Sequence, residues 1–412
     1  MKILLVGDGG RESAIATKLK DDARITKMFF AKGNATTEGL GKNIYETDVK
    51  ALRDFAIKEQ IDLTIVGPEA TLVDGIVDEF QQHNLNIFGP RQRAAKLEGS
   101  KAFSKKFMQQ YGIKTASAEI FDSYAEASEY IKKQQFPLVV KASGLAAGKG
   151  VVICENLEQA EATLHDFMIR RIYGDAGIRV IVEEYLQGFE ASIIAFSNGE
   201  KLFPCVPVKD YKKVGNGDKG ANTGGMGSVA PSPQFQEEHY QDFHKNILEP
   251  TLKGLQEENL KFKGFIFFGL MITKNGCYLL EYNMRMGDPE TQSIMALLEN
   301  NLLDVIKDCL DGKDVELKFK NEKAVCLVMC SGGYPRTIET GFEIKGLDKV
   351  KHSQILFAGA QYRGDKIVTS GGRVLNIVAT GETYEEARQK VYEDALPVNF
   401  DYGFYREDIG KF

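Results

Sequence analysis

The residues best able to do chemistry stand together in the run EYNMRMGDPE, which begins at Glu281. Side chains two positions apart on a strand share a face, so Glu281 and Asn283 point the same way, and Arg285 is a candidate for that face. A carboxylate and an amide offer hard oxygen ligands suited to Mg²⁺, with phosphate oxygens and water completing the shell. The arginine suits a carboxylate or phosphate held bidentately. A polar strand edge with an ordinary ion pair is the alternative.

A second run, KASGLAAGKG, extends from Lys141 to Gly150 and differs from a Walker A loop. Only three residues separate Gly144 from Gly148, and Gly150 stands where a Walker loop has the Ser or Thr that binds Mg²⁺. Strand-like segments flank the run on both sides. It therefore predicts a glycine-rich hairpin over nucleotide phosphates, with Lys141 aimed at phosphate. The alternative is a structural ion pair, because a lysine in a buried strand otherwise needs a carboxylate partner.

A third run, GDGGRE at residues 7–12, follows a strand-like segment and opens a helix-like one. Such a loop offers backbone N–H groups and a helix N-terminus to a phosphate. Dinucleotide binding is disfavoured, because Glu12 occupies the third glycine position and Lys32 ends the second strand where a ribose-binding acid is expected. A single phosphate is the favoured ligand, and a tight turn with glycines for packing alone is the alternative.

Three weaker signals complete the set of candidates. Residues 183–186, EEYL, follow the strand-like RVIV and could present backbone groups to an adenine edge, with Glu190 accepting ribose hydroxyls. Two surface glutamates after a strand would look the same. The glycine-rich loops at 221–227 and 370–373 could bring N–H groups close to anions or could be ordinary turns.

Composition excludes several other classes of protein. The net charge of −6 argues against a general nucleic-acid or membrane-surface role. No apolar run reaches the roughly 20 residues that span a bilayer, and the apolar stretch Ile3–Val6 is too short for a signal peptide, so a cytoplasmic protein is expected. The six cysteines form no CxxC pair and are expected to be buried reduced thiols. The five histidines lie away from every glycine motif, so the chemistry is expected to use Lys, Arg, Glu and Asn.

The elements that position these residues require two to four domains, because 412 residues exceed one ordinary core. Over residues 1–98, strand-like KILLVG, KMFFA, DLTIVG and LNIFG alternate with helix-like segments. The predicted helices are Glu12–Lys20, Lys50–Gln60 and Val73–His83. This alternation predicts a parallel sheet whose ligands lie at the carboxyl ends of the strands.

Residues 99–323 and 324–412 are predicted to form further α+β units. A helix over Lys101–Tyr111 precedes a small β-rich unit at about 115–186, in which Ser123 and Asn156 begin capped helices, the second running to about Arg170. Residues 213–233 are rich in Gly, Asn, Ser and Pro and are expected to form a mobile loop. In the last unit, Thr383 caps a final helix over Tyr384–Ala395.

These motifs, taken in order, resemble the ATP-grasp superfamily and, more narrowly, the phosphoribosylamine–glycine ligase family of purine biosynthesis. The resemblance runs nearly end to end through GDGGRE, VGPE at 66–69, LEGSKAFSK at 97–105, KASGLAAGKG, GANTGGMG, GDPETQ at 287–292 and SGGRVL at 370–375. It implies an α/β and α+β multidomain fold. The units would be a preATP-grasp parallel α/β domain at 1–98, an ATP-grasp region at 99–323 with a lid at about 115–186, and a small C-terminal domain at 324–412.

The resemblance also implies a reaction. ATP would phosphorylate glycine, and the amine of 5-phosphoribosylamine would attack the glycyl phosphate to give glycinamide ribonucleotide, ADP and phosphate. Mg²⁺ or Mn²⁺ would assist, no nucleic acid or membrane would take part, and the chain would be a monomer or weak oligomer. Alternatives are another ATP-grasp carboxylate–amine ligase or carboxylase, an NAD-dependent oxidoreductase and a non-catalytic nucleotide sensor.

Roles for individual residues follow from the same resemblance. Catalysis falls to Lys141, Arg285 and Asp288, and the metal to Glu281 and Asn283. ATP would be bound by Lys105, Lys141, Gly144, Gly148, Lys149, Gly150, Glu183, Glu184, Tyr185, Leu186, Glu190, Lys213 and Asn222. The other substrates would be bound by Gly9, Gly10, Arg11, Glu12, Gly33, Asn34, Gly67, Pro68, Glu69, Arg285, Gly371, Gly372 and Arg373.

The chain departs from the family pattern at a few positions. Ser13 stands in place of a usual His, Ser143 in place of a usual Asp, and Met284 and Met286 where Cys and Phe are common. Tyr-Lys-Lys at 211–213 replaces a usual His-Lys-Arg. Lysine at 213 keeps the charge of arginine but loses its bidentate fork.

Overall fold

The N-terminal region is built on a parallel sheet, as its alternating pattern predicts. The computed structural model describes residues 1–146 and 150–412. Five strands pair in the order β3-β2-β1-β4-β5, and β1 is parallel to both of its neighbours. The strands are β1 (Lys2–Gly7), β2 (Lys27–Lys32), β3 (Lys42–Ile44), β4 (Leu63–Val66) and β5 (Ile87–Phe88).

Six helices accompany this sheet, namely α1 (Gly10–Leu19), α2 (Ala35–Glu38), α3 (Val49–Glu59), α4 (Glu69–Val73), α5 (Ile76–Gln82) and α6 (Gln92–Gly99). The prediction of one helix over Val73–His83 is wrong. The chain breaks at Asp74 and Gly75, where Gly75 has a φ of +87° that the interior of a right-handed helix does not allow.

The next unit carries a four-stranded antiparallel sheet in the order β6-β9-β7-β8. Its elements are α7 (Lys101–Gln110), β6 (Ala118–Phe121), α8 (Tyr124–Ile131), β7 (Leu138–Ala142), β8 (Val151–Cys154), α9 (Leu157–Leu164) and β9 (Val180–Glu184). Strands β7 and β8 pair as the predicted hairpin, with Lys141 opposite Val151. The caps at Ser123 and Asn156 are confirmed, although α9 ends at Leu164 and continues as a wider π-helical turn to Ile169.

A larger antiparallel sheet, β11-β10-β16-β17, follows in the middle of the chain. The elements up to the C-terminal unit are β10 (Phe189–Asn198), β11 (Leu202–Pro204), β12 (Lys209–Asp210), β13 (Lys213–Gly215), β14 (Lys219–Asn222), β15 (Gly227–Ala230), α10 (Glu237–Phe243), α11 (Glu249–Glu257), β16 (Lys263–Thr273), β17 (Gly276–Asn283), α12 (Glu290–Leu297) and α13 (Leu302–Leu310). The prediction that residues 213–233 are simply a loop is wrong, because they contain β13, β14 and β15.

The C-terminal unit contributes β18 (Lys323–Cys330), β19 (Gln354–Phe357), β20 (Ala360–Arg363), β21 (Lys366–Thr369), β22 (Arg373–Gly381) and α14 (Tyr384–Ala395). The helix α14 has the predicted bounds, and the Thr383 Oγ1 accepts the Glu386 N–H at its start. One five-stranded sheet has the order β12-β15-β18-β22-β19. Two strands from the middle of the chain therefore complete the C-terminal sheet.

The core joins these units into one body. Its largest apolar cluster includes Ile3 and Leu5 of the parallel sheet, Ile294 and Leu303 of the central helices, and Cys326 of the C-terminal sheet. All six cysteines are buried and free, which confirms the prediction of reduced thiols. Within the described residues, no helix is both long enough and apolar enough to cross a bilayer.

Candidate active site

A cleft of about 590 Å³ lies between the parallel N-terminal sheet, the sheet β6-β9-β7-β8 and the sheet β11-β10-β16-β17. The carboxyl end of β1 forms one wall through Gly7 and Asp8. The hairpin β7–β8 forms the opposite wall through Lys141 and Val151, and the end of β17 forms the floor. The motifs singled out from the sequence therefore converge on one place, and the position at the strand ends is the one expected for a parallel sheet.

Two lysines share one buried carboxylate in this cleft. The Lys141 Nζ lies 2.7 Å from Glu183 Oε2, and the Lys105 Nζ lies 3.0 Å from Glu183 Oε1. Burial alone would raise the pKa of Glu183, but the two ammonium groups outweigh it and lower that pKa. The ion pair offered as the alternative for Lys141 thus exists. Since two cations face one anion, the cluster keeps an excess positive charge for a bound anion.

Lys101 adds a third cation that the sequence motifs did not single out. It lies one helical turn before Lys105 on α7 and lines the same cleft. Burial lowers the pKa of Lys101 and of Lys105, because their charged forms lose hydration that nearby carboxylates only partly replace. The spacing of four residues on a helix was the signal in the sequence that could have found it.

The floor of the cleft carries the predicted oxygen ligands. Glu281 and Asn283 both line it. Tyr282 between them contributes to the lining but is almost fully buried, with its hydroxyl 2.6 Å from Thr251 Oγ1. No group of three or more His, Cys, Asp or Glu suited to a metal occurs in residues 1–146 or 150–412. One carboxylate and one amide fit a Mg²⁺ or Mn²⁺ ion that takes its remaining oxygens from phosphate and water.

Arg285 is held by two carboxylates beyond the end of β17. Its Nε lies 3.2 Å from Glu69 Oε2 and its Nη2 lies 3.0 Å from Glu98 Oε1. Burial raises the pKa of Glu98, against the opposing effect of the guanidinium. The ion-pair alternative for this segment is therefore present, and it fixes Arg285 at the edge of the cleft, where the guanidinium can still face a ligand.

Two carboxyl groups, on the half-buried Asp210 and the buried Glu290, line the cleft without an ion-pair partner within residues 1–146 and 150–412. The Glu290 Oε1 accepts the Ser192 hydroxyl at 3.2 Å. Burial raises the pKa of both, and a negative neighbour adds to each rise: Glu290 for Asp210, and Asp288 for Glu290. The Asp210 Oδ1 has no hydrogen-bond partner among the described residues. Such a pair is a site for a cation or a proton donor.

Asp288 stands at the junction of the cleft and a second recess of about 480 Å³. Its Oδ2 accepts the Arg11 N–H at 3.1 Å, and its Oδ1 lies 3.4 Å from Arg373 Nη1. Burial would raise the pKa of Asp288, but the two arginines and Gln292 lower it. The recess contains Lys32, Gly33, Tyr45, Ser370 and Gly371. Its cations suit an anionic group.

Backbone N–H groups of the first glycine loop already donate hydrogen bonds to carboxylates of the protein. The Gly9 N–H donates to Glu12 Oε2 at 2.8 Å, and the Arg11 N–H is taken by Asp288. A Cβ on Gly67 would lie 1.7 Å from Glu12 Oε1, so glycine is required there by packing. The favoured interpretation, a phosphate held by these N–H groups, is not supported at Gly9 and Arg11, because carboxylates of the protein already accept both N–H groups.

Most of the predicted site residues line the cleft or the recess. These are Lys105, Lys141, Gly150, Glu183, Glu190, Asn222, Gly9, Arg11, Glu12, Pro68, Glu69, Glu281, Asn283, Arg285, Asp288, Gly33, Gly371 and Arg373. Gly148 and Lys149 lie outside the described residues. Within residues 1–146 and 150–412, the predicted residues that line neither space are Gly10, Asn34, Gly67, Gly144, Glu184, Tyr185, Leu186, Lys213 and Gly372.

Several of those residues form hydrogen bonds that hold the segments next to the cleft in place. Asn34 is buried, and its Nδ2 donates to Asp8 O at 2.9 Å and to Phe357 O at 3.0 Å, which ties the N-terminal loop to the C-terminal unit. Glu184 accepts the Ser117 N–H at 2.8 Å at the end of β9. In place of Lys213, its neighbour Lys212 lines the cleft and pairs with Glu190.

Comparison with known proteins reveals relatives over the full length. Family models match in three consecutive parts, described as the N domain, the ATP-grasp (A) domain and the C domain of phosphoribosylglycinamide synthetase, at residues 1–98, 99–291 and 324–412. A phosphoribosylamine–glycine ligase of Fusobacterium nucleatum is 47% identical over 100% of this chain and 98% of its own. One of Salmonella typhi is 44% identical with the same coverage.

Solved structures agree with these matches. The crystal structure of phosphoribosylamine–glycine ligase from Thermotoga maritima superposes with a TM-score of 0.87 at 35% identity, covering 99% of this chain and 100% of that one. A biotin carboxylase domain from Hydrogenobacter thermophilus, solved with MgADP and bicarbonate, has a TM-score of 0.77 at 13% identity and covers 98% of this chain and 91% of that one. That second likeness concerns the fold alone.

Proposed function

The chain belongs to the phosphoribosylglycinamide synthetase family, and from this premise we propose how its cleft performs the ligation. It is an ATP-dependent ligase of the ATP-grasp fold that joins glycine to phosphoribosylamine in purine biosynthesis. The observation that carries the assignment of the site is the two-lysine cluster on Glu183, which faces the oxygen ligands of β17 across one cleft.

We place ATP with its phosphates between the hairpin wall and the floor formed by the end of β17. Lys105 and Lys141 supply the excess charge of the hairpin wall, and Lys101 adds to it. Oriented cations that are already in place stabilise charge developing on a transferring phosphoryl group without reorganising. The nucleoside end would lie toward Met108, Val151 and Leu280, which give the cleft an apolar wall.

Glu281 and Asn283 are the residues that would hold Mg²⁺ or Mn²⁺. When bound, such an ion neutralises phosphate charge and polarises the transferring group. Two protein ligands leave the remaining positions to phosphate oxygens and water, which is usual for Mg²⁺ in nucleotide sites.

Glycine is placed between Arg285 and the carboxyl pair. Its ammonium group would be the cation that Asp210 and Glu290 lack, and its carboxylate would face the guanidinium of Arg285. One carboxylate oxygen then attacks the γ-phosphorus, ADP leaves, and glycyl phosphate forms. The carboxyl pair would thus select an acid that also carries an amine.

5-Phosphoribosylamine is placed in the second recess, with its phosphate near Lys32, Ser370 and Gly371. Its amine would reach the glycyl carbonyl carbon past Asp288, at the junction of recess and cleft. The amine forms the new C–N bond, the C–O bond to phosphate breaks, and phosphate departs with one oxygen from glycine. Asp288, whose pKa lies below its ordinary value, is ionised and could orient the amine by accepting a hydrogen bond from it, while the departing phosphate takes the proton that the amine loses.

The domain boundaries remain part of the proposal. We place an N-terminal domain at 1–98, an ATP-grasp region at 99–323 with its lid at about 115–186, and a C-terminal domain at 324–412 whose sheet borrows β12 and β15. We also propose that the protein works in the cytoplasm on small molecules, as a monomer or weak oligomer. The net charge of −6 supports partners that are not polyanions.

An omission assay tests the reaction directly. The purified protein should release ADP when ATP, Mg²⁺, glycine and freshly made phosphoribosylamine are all present, and the rate should collapse when either glycine or phosphoribosylamine is left out. Equal ADP release without the amine would indicate another acceptor. Replacement of glycine by an acid that has no amine, such as acetate, without loss of rate would contradict the placement at Asp210 and Glu290.

A further inference from the structure

The chain after α14 lies against the tip of the β13–β14 hairpin. Arg406, in this tail, is only 1% exposed. Its Nε and Nη2 lie 2.8 and 2.7 Å from the two carboxylate oxygens of Asp408. Its Nη1 donates to Asp218 Oδ1 at 2.8 Å and to the Lys213 carbonyl at 2.9 Å. One guanidinium therefore joins the tail to both the tip and the first strand of the hairpin.

Backbone contacts reinforce this junction. The Gly217 N–H donates to Asp408 Oδ2 at 2.8 Å, and the Glu407 N–H donates to Asn216 Oδ1 at 3.0 Å. The guanidinium carbon of Arg406 lies 5.1 Å from the ring centroid of Tyr211, a geometry that favours a cation over an aromatic face. Charge-assisted bonds from one buried guanidinium thus hold the tail against an exposed hairpin tip.

The opposite end of the same hairpin enters the cleft. Lys212 and Asn222 line the cleft, and Thr223 donates both its N–H and its hydroxyl to the Lys212 carbonyl at 2.8 Å each. All four residues of β14 are exposed, so the hairpin buries little apolar surface of its own. A two-stranded hairpin is marginal in water, and this one depends on what holds its tip.

We propose that Arg406 is a positioning residue that clamps the β13–β14 hairpin so that Lys212 and Asn222 stay at the ATP site. The inference rests on the proposed placement of ATP and adds a remote residue to it. Arg406 touches no substrate. It acts through Lys213, whose carbonyl it binds and whose preceding residue, Lys212, reaches the cleft. Without the clamp, ATP binding would first have to order the hairpin.

The clamp is tested by the affinity of the protein for a non-hydrolysable ATP analogue with Mg²⁺, measured by titration calorimetry. If the hairpin of Arg406→Gln is in place only about a tenth of the time, Kd for the analogue rises about tenfold. Arg406→Lys keeps the charge but loses the bidentate fork, so its Kd should lie between that of the wild type and that of Arg406→Gln. Binding of a ribose 5-phosphate probe in the second recess should not change.

Two further variants make the result decisive. Asp218 is well exposed, so Asp218→Ala removes one arm of the clamp without touching the core, and it should raise Kd by a smaller factor. Arg363→Ala, at an exposed arginine in the hairpin of β20 and β21, is the matched control and should bind like the wild type.

The clamp is overturned if Arg406→Gln and Asp218→Ala fold and bind the analogue as the wild type does. If Arg406→Gln does not fold, Asp218→Ala alone decides between unchanged and weakened binding. If the wild type binds the analogue without slowing hydrogen exchange at residues 212–224, ATP does not lie beside the hairpin. That outcome overturns the placement of ATP and the clamp together, whereas normal protection with unchanged variants overturns the clamp alone.

Discussion

Glu183 shows how single residues set the chemistry of the cleft. Sequence patterns indicated it as a possible surface residue or part of an adenine-binding hinge, whereas its carboxylate lies buried between Lys105 and Lys141. The arrangement keeps two ammonium groups close together without leaving either unpaired. It also means that removing one lysine leaves a balanced pair, so the effect of the change on function can be separated from its effect on folding.

Lys141→Ala is expected to lower turnover by about 10²–10³-fold, because one preorganised donor to a transferring phosphoryl group contributes about 3–4 kcal/mol. The fold should survive, since Lys105 still pairs with Glu183. Steady-state ADP release and thermal melting measure the two effects. Lys132→Ala, at an exposed lysine of the same unit, is the control. Near-normal activity in a folded Lys141→Ala protein would leave the lysine a structural role only.

Glu281→Ala and Asn283→Ala should each raise the Mg²⁺ concentration needed for half-maximal activity, because both supply oxygen to one small cation. The increase should be larger for Glu281→Ala, since it also removes a negative charge. Metal titrations at saturating ATP measure this. Asn275→Ala, at the exposed turn between β16 and β17, should titrate like the wild type. Curves for the two site variants that superimpose on the wild type would place the metal elsewhere.

At the scale of elements, the sequence predicted the features that depend on neighbouring residues, namely helix caps and a hairpin. The caps at Ser123 and Thr383 and the hairpin β7–β8 follow from neighbouring residues, and the structure contains all three. Long-range pairing was beyond such signals. No local sequence pattern around β12 or β15 indicates that these strands complete a sheet with β18. Asp210 and Glu290 both line the cleft although 80 positions separate them in sequence.

One element carries a pH-dependent contribution to stability. Near the end of α14, Asp394 accepts backbone N–H bonds from Lys351, His352 and Ser353 at 2.9, 2.8 and 2.7 Å. Burial would raise the pKa of Asp394, but these donors outweigh it and lower that pKa. Because the pKa of Asp394 is lower in the folded state, its ionised form stabilises the fold fully at pH values above the unfolded pKa of about 3.9. This stabilisation is lost as the pH falls through the folded pKa.

Asp394→Asn should therefore lower the free energy of unfolding by about 1.5–3 kcal/mol at pH 7, the range for hydrogen bonds to a charged group. The difference from the wild type should shrink as pH falls below about 4. Denaturant unfolding across this pH series measures it, with the exposed Asp401→Asn as control. A difference that stays constant down to pH about 2.5 would show that the charge of Asp394 is not what stabilises this junction.

At the scale of the whole molecule, the site exists only where units meet. The parallel sheet supplies Gly9 and Arg11, the hairpin unit supplies Lys141, and β17 supplies Glu281, so no single unit holds a complete site. Motif order along the chain indicated most of the residues that converge, but not Lys101 or Asp210. It did not distinguish Lys212 from Lys213, because Lys212 lies in the connection between β12 and β13, and its direction depends on how that connection folds.

The unit at about 115–186 should act as a lid over this junction. In the proposed placement, nucleotide bridges Lys141 of this unit and the floor of the cleft, so binding should shift the population toward a closed state that excludes water from the acyl phosphate. Hydrogen exchange at residues 143–146 and 150–154 should slow when Mg²⁺ and a non-hydrolysable ATP analogue are added. Exchange in β1 serves as the internal control. Unchanged exchange at saturating nucleotide would mean that the hairpin is a fixed wall.

The most direct test of the account follows one oxygen atom. If glycine is activated as glycyl phosphate, one of its carboxylate oxygens stays with phosphorus when the C–O bond breaks. Glycine labelled with ¹⁸O in both carboxylate positions should therefore yield inorganic phosphate carrying one ¹⁸O per turnover, and glycinamide ribonucleotide keeping the other, as measured by mass spectrometry. Unlabelled phosphate formed in step with ADP and glycinamide ribonucleotide would contradict the acyl phosphate and the placement of glycine in this cleft.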